Sequence, residues 1–290
     1  MTYCGILAAV TGRAPFIEQV HQGWNERNSL LCVGLDPDWQ RLPAAYQAQE
    51  DALLAYCSDI VDATAHLVCA FKPQIAYFAA RGREDELARL IAYIHARHPQ
   101  IPVILDAKRG DIGATARLYA VEAYERYAAD AVTVNPYLGA ESIAPYLEYG
   151  DRGVIVLCRT SNADSAWLQD YPASAPLYLR IAQAVSEWNQ RGNLMLVAGA
   201  TYATELARIR QCVGDLPLLV PGIGTQGGDL KSVLQHGADA NGQGLLINVS
   251  RAVIFADSAD PVAGAAQAAN NFVTEIRQLQ AEITPDRAMV

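Results

Sequence analysis

The run Pro102-Val103-Ile104-Leu105-Asp106-Ala107-Lys108-Arg109-Gly110-Asp111 passes from four consecutive apolar residues into a segment holding four charges. A strand with one wet face alternates apolar and polar side chains. Residues 102–105 are apolar throughout, as a parallel strand covered on both faces requires. Gly110 permits a sharp turn, and a 3.6-residue apolar period predicts a helix over 111–127. Strand, polar loop and helix make one βα unit.

The same unit recurs in both directions along the chain. Short apolar runs predict strands at 30–35, 68–71, 131–134, 154–157, 194–198, 218–220 and 245–249. Helical periodicity falls between them, at 45–66, 75–80, 84–97, 140–148, 175–189, 202–212, 226–236 and 261–280. Eight such units in about 250 residues fit an α/β fold of the (β/α)8 TIM barrel type. A doubly wound open sheet is the competing topology. No linker rich in Pro, Gly or Ser divides the chain, so residues 15–282 are read as a single barrel domain. Residues 1–14 and 283–290 carry no clear pattern and are expected to be a flexible extension and a flexible tail.

Composition narrows the function. The 290 residues carry a net charge of −9, which argues against nucleic-acid binding, since that needs a basic stripe. An anionic ligand must then be drawn in by a local cluster of cations. No apolar run reaches membrane-spanning length, and residues 6–10 are too short for a signal-peptide core, so a cytoplasmic protein is expected, with no membrane contact. Cys4, Cys32, Cys57, Cys69, Cys158 and Cys212 form no CxxC pair and are expected to be buried, reduced thiols. His95 and His98 lie at a helix end, where cations suit the dipole, and no metal site is expected from them. Trp24, Trp39, Trp167 and Trp188 are read as packing residues.

The polar residues at the strand ends carry the functional signal. Asp36, Lys72, the 106–111 segment, Asn135, residues 159–162, the glycine-rich 222–228 and Arg251 each follow an apolar run. In a barrel these C-terminal ends converge on one mouth, where such enzymes do their chemistry. Asp106 and Lys108, two apart on a strand, share a side, and Arg109 points away. Asp111 and Thr115 are four apart and share a helix face. By themselves, Asp111 as a helix cap and Asp106–Lys108 as a structural ion pair remain open. Lys72 shifts the balance, because two lysines and two aspartates can alternate in one pocket. Gly222-Ile223-Gly224-Thr225-Gln226-Gly227 matches GxGxxG, and a dinucleotide loop, a bare turn and a phosphate loop all compete. Its place after the seventh strand favours phosphate, with Arg251 as the bidentate cation.

Leu105-Asp106-Ala107-Lys108-Arg109-Gly110-Asp111-Ile112-Gly113 resembles the signature of the orotidine 5'-phosphate decarboxylase family. Residues 33–37, 71–74, 159–162, 220–229 and 247–252 resemble the rest of its pattern in order, in the longer form of the bacterial type 2 branch. The resemblance spans roughly 16–280. It implies a homodimeric barrel enzyme that makes UMP from orotidine 5'-phosphate in pyrimidine biosynthesis, without metal or organic cofactor. Carried over by position, Lys72, Asp106 and Lys108 form the charged network, and Asp111 and Thr115 enter from the neighbouring subunit. Asp36 and Lys72 hold ribose hydroxyls, and Ser161 holds the pyrimidine. Gln226 and Arg251, with the loop of Gly222 and Gly224, hold the phosphate. The chain shows no acidic phosphoribosyl-diphosphate motif, so no fused transferase is expected.

The residue chemistry agrees with that implication. Loss of CO2 from a pyrimidine ring carbon leaves an in-plane carbanion with little π delocalisation. An ammonium fixed beside that carbon stabilises it and then donates the proton. Three rivals stand beside this reading. A Schiff-base aldolase needs a free amine, which adjacent aspartates oppose. A magnesium-dependent sugar-phosphate decarboxylase would use Asp106 and Asp111 as ligands. A non-catalytic phosphate-binding barrel would bind UMP and release no CO2.

Overall fold

The computed structural model describes residues 12–224 and 227–283. Its eight strands are β1 (Leu31–Leu35), β2 (Ala70–Pro73), β3 (Ile104–Arg109), β4 (Ala131–Val134), β5 (Gly153–Arg159), β6 (Leu194–Ala198), β7 (Leu218–Pro221) and β8 (Leu245–Val249). They form one sheet in the order β2-β1-β8-β7-β6-β5-β4-β3, every ladder parallel. The bridges Phe71↔Val103 and Gln74↔Asp106 join β2 to β3 and close the barrel. Strands β1, β6 and β8 are buried along their whole length, which is why they carry no alternation. The (β/α)8 expectation is met. Among the described residues, no helix is long and apolar enough to cross a membrane.

Several elements differ from their sequence-predicted bounds, each for a tertiary reason. A helix not read from the sequence, Phe16–Glu26, precedes β1 and buries Phe16, Val20 and Trp24. The predicted helix over 45–66 is two helices, Ala44–Gln47 and Ala52–Thr64. The second begins where the buried Glu86 carboxylate accepts from Leu53 N at 3.0 Å and Leu54 N at 2.9 Å. That carboxylate satisfies two of the four unpaired amides of the helix start and suits its dipole. It comes from another helix, Glu84–Arg97, so local periodicity does not report it.

Strand β3 is the departure that matters for function. The sequence predicts its end at Leu105, yet it runs on through Asp106-Ala107-Lys108-Arg109. The register against β4 shifts between Leu105 and Arg109, and Lys108 has φ +48°. Such a bulge leaves ladder amides without strand partners. Thr133 of β4 supplies the replacement: its Oγ1 accepts from Ala107 N at 3.0 Å and Lys108 N at 2.9 Å.

The opposite end of the barrel is fastened by Asp130. Its carboxylate pairs with Arg13 at 3.0 Å, takes a His95 ring nitrogen at 2.9 Å and accepts from Val103 N at 2.8 Å. His98 pairs instead with Asp62 at 2.8 Å, so the two histidines engage separate carboxylates. Cys32, Cys57, Cys69 and Cys158 are buried as expected, whereas Cys212 is exposed. Trp167, read as a packing residue, is 77% exposed. Cys4 and most of the expected 1–14 extension lie outside the described residues, as does all but Ile283 of the tail.

Candidate active site

A cavity of about 540 Å³ opens at the C-terminal ends of the strands. Its charged lining consists of Asp36, Lys72, Asp106, Lys108 and Arg251. Three cations against two carboxylates make this mouth locally positive in a chain of net charge −9. That is the local field which an anionic ligand requires.

Its floor is a single hydrogen-bonded network. Lys72 Nζ stands 2.8 Å from Asp106 Oδ2, and Lys108 Nζ stands 2.6 Å from Asp106 Oδ1. Thr133 Oγ1 donates to Asp106 Oδ1 at 2.9 Å. Burial opposes charge on the Lys72 amine, but the carboxylates of Asp106 and Asp36 outweigh it and hold the ammonium above the ordinary lysine range. Burial likewise opposes ionisation of Asp106, and Lys72 and Lys108 overcome it, holding the carboxyl well below its usual range. The two lysine side chains differ in exposure: 4% for Lys72 and 46% for Lys108. Lys72 is therefore fixed from behind, and Lys108 meets the open cavity.

Arg109 turns outward as expected. Its guanidinium pairs with Glu122 at 2.9 Å and lies 4.8 Å over the Tyr119 ring. Asp36 lines the cavity, and its Oδ1 is buried with no hydrogen-bond partner among the described residues. A buried lone pair without a donor is costly, and a ligand hydroxyl would satisfy it. Ser161, Gly222 and Arg251 also line the cavity. Gly222 adopts φ +108°, a region open to glycine, and its carbonyl accepts from Gly228 N at 3.1 Å. Gly224, at φ +84°, is outside the lining, and Gln226 lies outside the described residues. The helix predicted to start at 226 starts at Leu230, with Asp229 accepting from Lys231 N at 3.1 Å. A carboxylate thus already occupies that helix N-terminus.

Asp111 and Thr115 are not brought to this cavity in their own subunit. The helix starts at Gly113, so Asp111 precedes it and the two do not share a helix face. Asp111 does not cap the helix either; its Oδ1 accepts from Ile112 N at 2.8 Å. Ile112 beside it, Leu118 and Val121 of that helix, and Tyr137 and Leu138 of the turn after β4 are all exposed apolar residues. The helix Gly113–Val121 packs on Ala140–Leu147, which also touches the turn Pro136–Leu138, so these residues belong to one region of the rim.

Gln74, Thr160, Asn162, Asn248 and Ser250, which belong to segments read from the sequence but were given no individual role, also line the cavity, as do Thr133 and Tyr77, which were not singled out. For Thr133 a signal exists: it is the one polar residue of the β4 run Ala131-Val132-Thr133-Val134. A hydroxyl inside a buried strand needs a partner.

Comparison with known proteins gives a consistent result. Residues 29–268 match the model of the Orotidine 5'-phosphate decarboxylase / HUMPS family. The chain is 58% identical over 257 residues to an orotidine 5'-phosphate decarboxylase of Aromatoleum aromaticum, covering 88% of this chain and 95% of the relative. A crystal structure of a putative orotidine-monophosphate-decarboxylase from Toxoplasma gondii superposes with TM-score 0.85 at 34% identity, covering 92% of this chain and 98% of that one. The Leishmania donovani OMP decarboxylase structure gives TM-score 0.79 at 38% identity, with coverage of 92% and 98%.

Proposed function

The chain belongs to the Orotidine 5'-phosphate decarboxylase / HUMPS family, and from that premise we infer how its residues convert orotidine 5'-phosphate to UMP and CO2 in pyrimidine biosynthesis. The observation that carries the residue-level reading is Asp106 held between the Lys72 and Lys108 ammonium groups at 2.8 and 2.6 Å. Lys108 is the exposed member of that set, so it is the one that faces the reacting carbon. As the carbon–carboxylate bond breaks, the electron pair stays on the ring carbon in the ring plane. The fixed ammonium stabilises that charge, transfers its proton to the carbon and is reprotonated from solvent. Asp106 and Lys72 hold it in place, so little reorganisation accompanies the reaction.

Asp36, with its Oδ1 unpartnered among the described residues, and Lys72 take the ribose hydroxyls. Ser161 takes the pyrimidine. Arg251 takes the phosphate beside Gly222, with Gly224 and Gln226 in the same loop. Phosphate contacts remote from the ring contribute binding energy that orders the site around it.

The partner subunit's Asp111 and the partner subunit's Thr115 complete the site in a homodimer. The support is the exposed apolar rim from Ile112 to Leu138, which a two-fold partner would cover. A cytoplasmic enzyme with no nucleic-acid partner accords with the charge of −9.

The rivals fare less well on the same geometry. A Schiff-base lysine requires a free amine, and Asp106 favours the ammonium at Lys72. Divalent-ion ligation by Asp106 would displace two ammonium groups and a hydroxyl already on its oxygens. Purified, EDTA-treated protein should consume orotidine 5'-phosphate, followed by absorbance, with matching CO2 release. UMP binding without CO2 release would establish the non-catalytic alternative.

A further inference from the structure

The end of β5 holds a buried guanidinium to which the decarboxylation chemistry gives no task. Arg159 is 1% exposed and makes no contact with the Lys72–Asp106–Lys108 network in its hydrogen bonds or ion pairs. Its Nε stands 2.9 Å from Asp170 Oδ1, and its Nη2 donates to Asp170 Oδ2 at 3.2 Å. Its Nη1 donates to the Thr160 carbonyl at 2.9 Å and to Ser165 Oγ. Its Cζ lies 3.6 Å over the Tyr202 ring.

Apart from Asp170, the groups that Arg159 engages, Gln169 Oε1 at 3.4 Å among them, lead to the loop 160–162, whose three residues all line the cavity. Gln169 Oε1 accepts from Thr160 N at 2.9 Å, and Gln169 Nε2 donates to Thr160 Oγ1 at 3.0 Å. Ser165 Oγ donates to the Asn162 carbonyl at 2.5 Å, and Tyr202 Oη donates to the same carbonyl at 3.3 Å. Thr201 Oγ1 donates to the Ser161 carbonyl at 3.1 Å. Gly199 lets the loop lie directly on the end of β6, since a Cβ there would come within 2.8 Å of Ser161 backbone.

Stability alone does not call for this arrangement. Burying a guanidinium costs free energy that pairing repays only in part, here with an Asp170 side chain left 35% exposed, so the charge is retained at a cost. Its planar fork instead imposes directions: one edge on Asp170, the other on the loop carbonyl, and one face on Tyr202. We propose that Arg159 is a positioning residue that sets the 160–162 loop for recognition of the pyrimidine ring, acting through Gln169, Ser165 and Tyr202. The proposal rests on the reading of Ser161 as a pyrimidine contact. A site held in advance by such a second layer loses little entropy when the base arrives.

The test compares two ligands that share the phosphate and ribose but differ in the base. UMP and ribose 5-phosphate are titrated as competitive inhibitors of the wild-type dimer, Arg159→Lys and Gln169→Ala. Lysine keeps the charge beside Asp170 but loses the fork, and Gln169→Ala removes the loop bonds without unpairing a buried charge. UMP affinity should fall by about tenfold or more in both variants, as loss of one or two such bonds implies, with ribose 5-phosphate changed by less than about twofold. The thermal midpoint of Gln169→Ala should stay near that of the wild type. Parallel weakening of both ligands, or no change in either, overturns the positioning role. A wild-type protein that binds UMP no more tightly than ribose 5-phosphate overturns the base-contact reading itself, and turnover of orotidine 5'-phosphate by that protein is measured separately.

Discussion

Lys108 Nζ stands 2.6 Å from Asp106 Oδ1 across a bulge in the strand that carries both residues. In a regular strand, residues two apart share a face with their Cα atoms roughly 6.5–7 Å apart. Here Lys108 adopts φ +48°, a conformation that costs about 1–3 kcal/mol in a residue with a side chain. The hydroxyl of Thr133 holds the strained segment, accepting from two amides and donating to Asp106. Strain, bulge and charged network are therefore one feature.

It follows that Thr133→Val should damage catalysis chiefly through the network, since Thr133, although in the cavity lining, is 1% exposed. Valine fills the volume of threonine but leaves Ala107 N, Lys108 N and Asp106 Oδ1 short of a partner. Turnover should fall by about 10- to 100-fold with KM little changed, and stability should drop by about 1–3 kcal/mol. Steady-state kinetics and urea unfolding measure the two effects. Unchanged turnover would show that Lys108 is aligned by something else.

Acid stability should depend on Asp130 at the far end of the barrel. Burial opposes its ionisation, but His95 and Arg13 overcome that and hold the carboxyl at about 2. A folded-state pKa below the unfolded value of about 3.9 contributes stability that is complete above the unfolded pKa. That contribution, on the order of 2 kcal/mol, is lost as pH falls from about 4 towards 2. Asp130→Asn should therefore be less stable than wild type at pH 7 and should lose less further stability over that acid window. Urea midpoints against pH check both, and parallel curves in the window would refute the assignment.

The barrel and the charged core of the site were legible because each depends on local pattern. Unbroken short apolar runs such as Leu194–Ala198 fit strands covered on both faces, and charges that follow them gather at one end. What escaped was set by contacts across the chain. Glu86 starts a helix that lies 32 residues before it, and Thr133 props a bulge 25 residues away. Arg159 was noticed only as part of a loop, because its partners Asp170 and Tyr202 belong to two later segments. A buried polar network is a tertiary property, and single polar residues inside apolar runs are its only trace in sequence.

The proposed sharing of the site between subunits makes a prediction about mixtures. Asp111 is absent from the lining of its own cavity and adjoins the exposed apolar Ile112. Lys108→Ala and Asp111→Ala homodimers should each be severely impaired. When subunits exchange, each mixed dimer has one doubly damaged site and one intact site. Random pairing makes about half the dimers mixed, so roughly a quarter of sites should recover. Native mass spectrometry confirms exchange, and exchange without regained turnover would eliminate the shared site.

The most direct test of the chemistry uses one preparation of Lys108→Ala and two measurements on it. On the proposed reading, Lys108 acts on the ring carbon, whereas the phosphate and ribose are held by Arg251, Asp36 and Lys72. The variant should therefore bind UMP within about tenfold of wild type while CO2 release from orotidine 5'-phosphate falls to background. A folded Lys108→Ala protein that binds UMP and still turns over at near the wild-type rate would contradict the account.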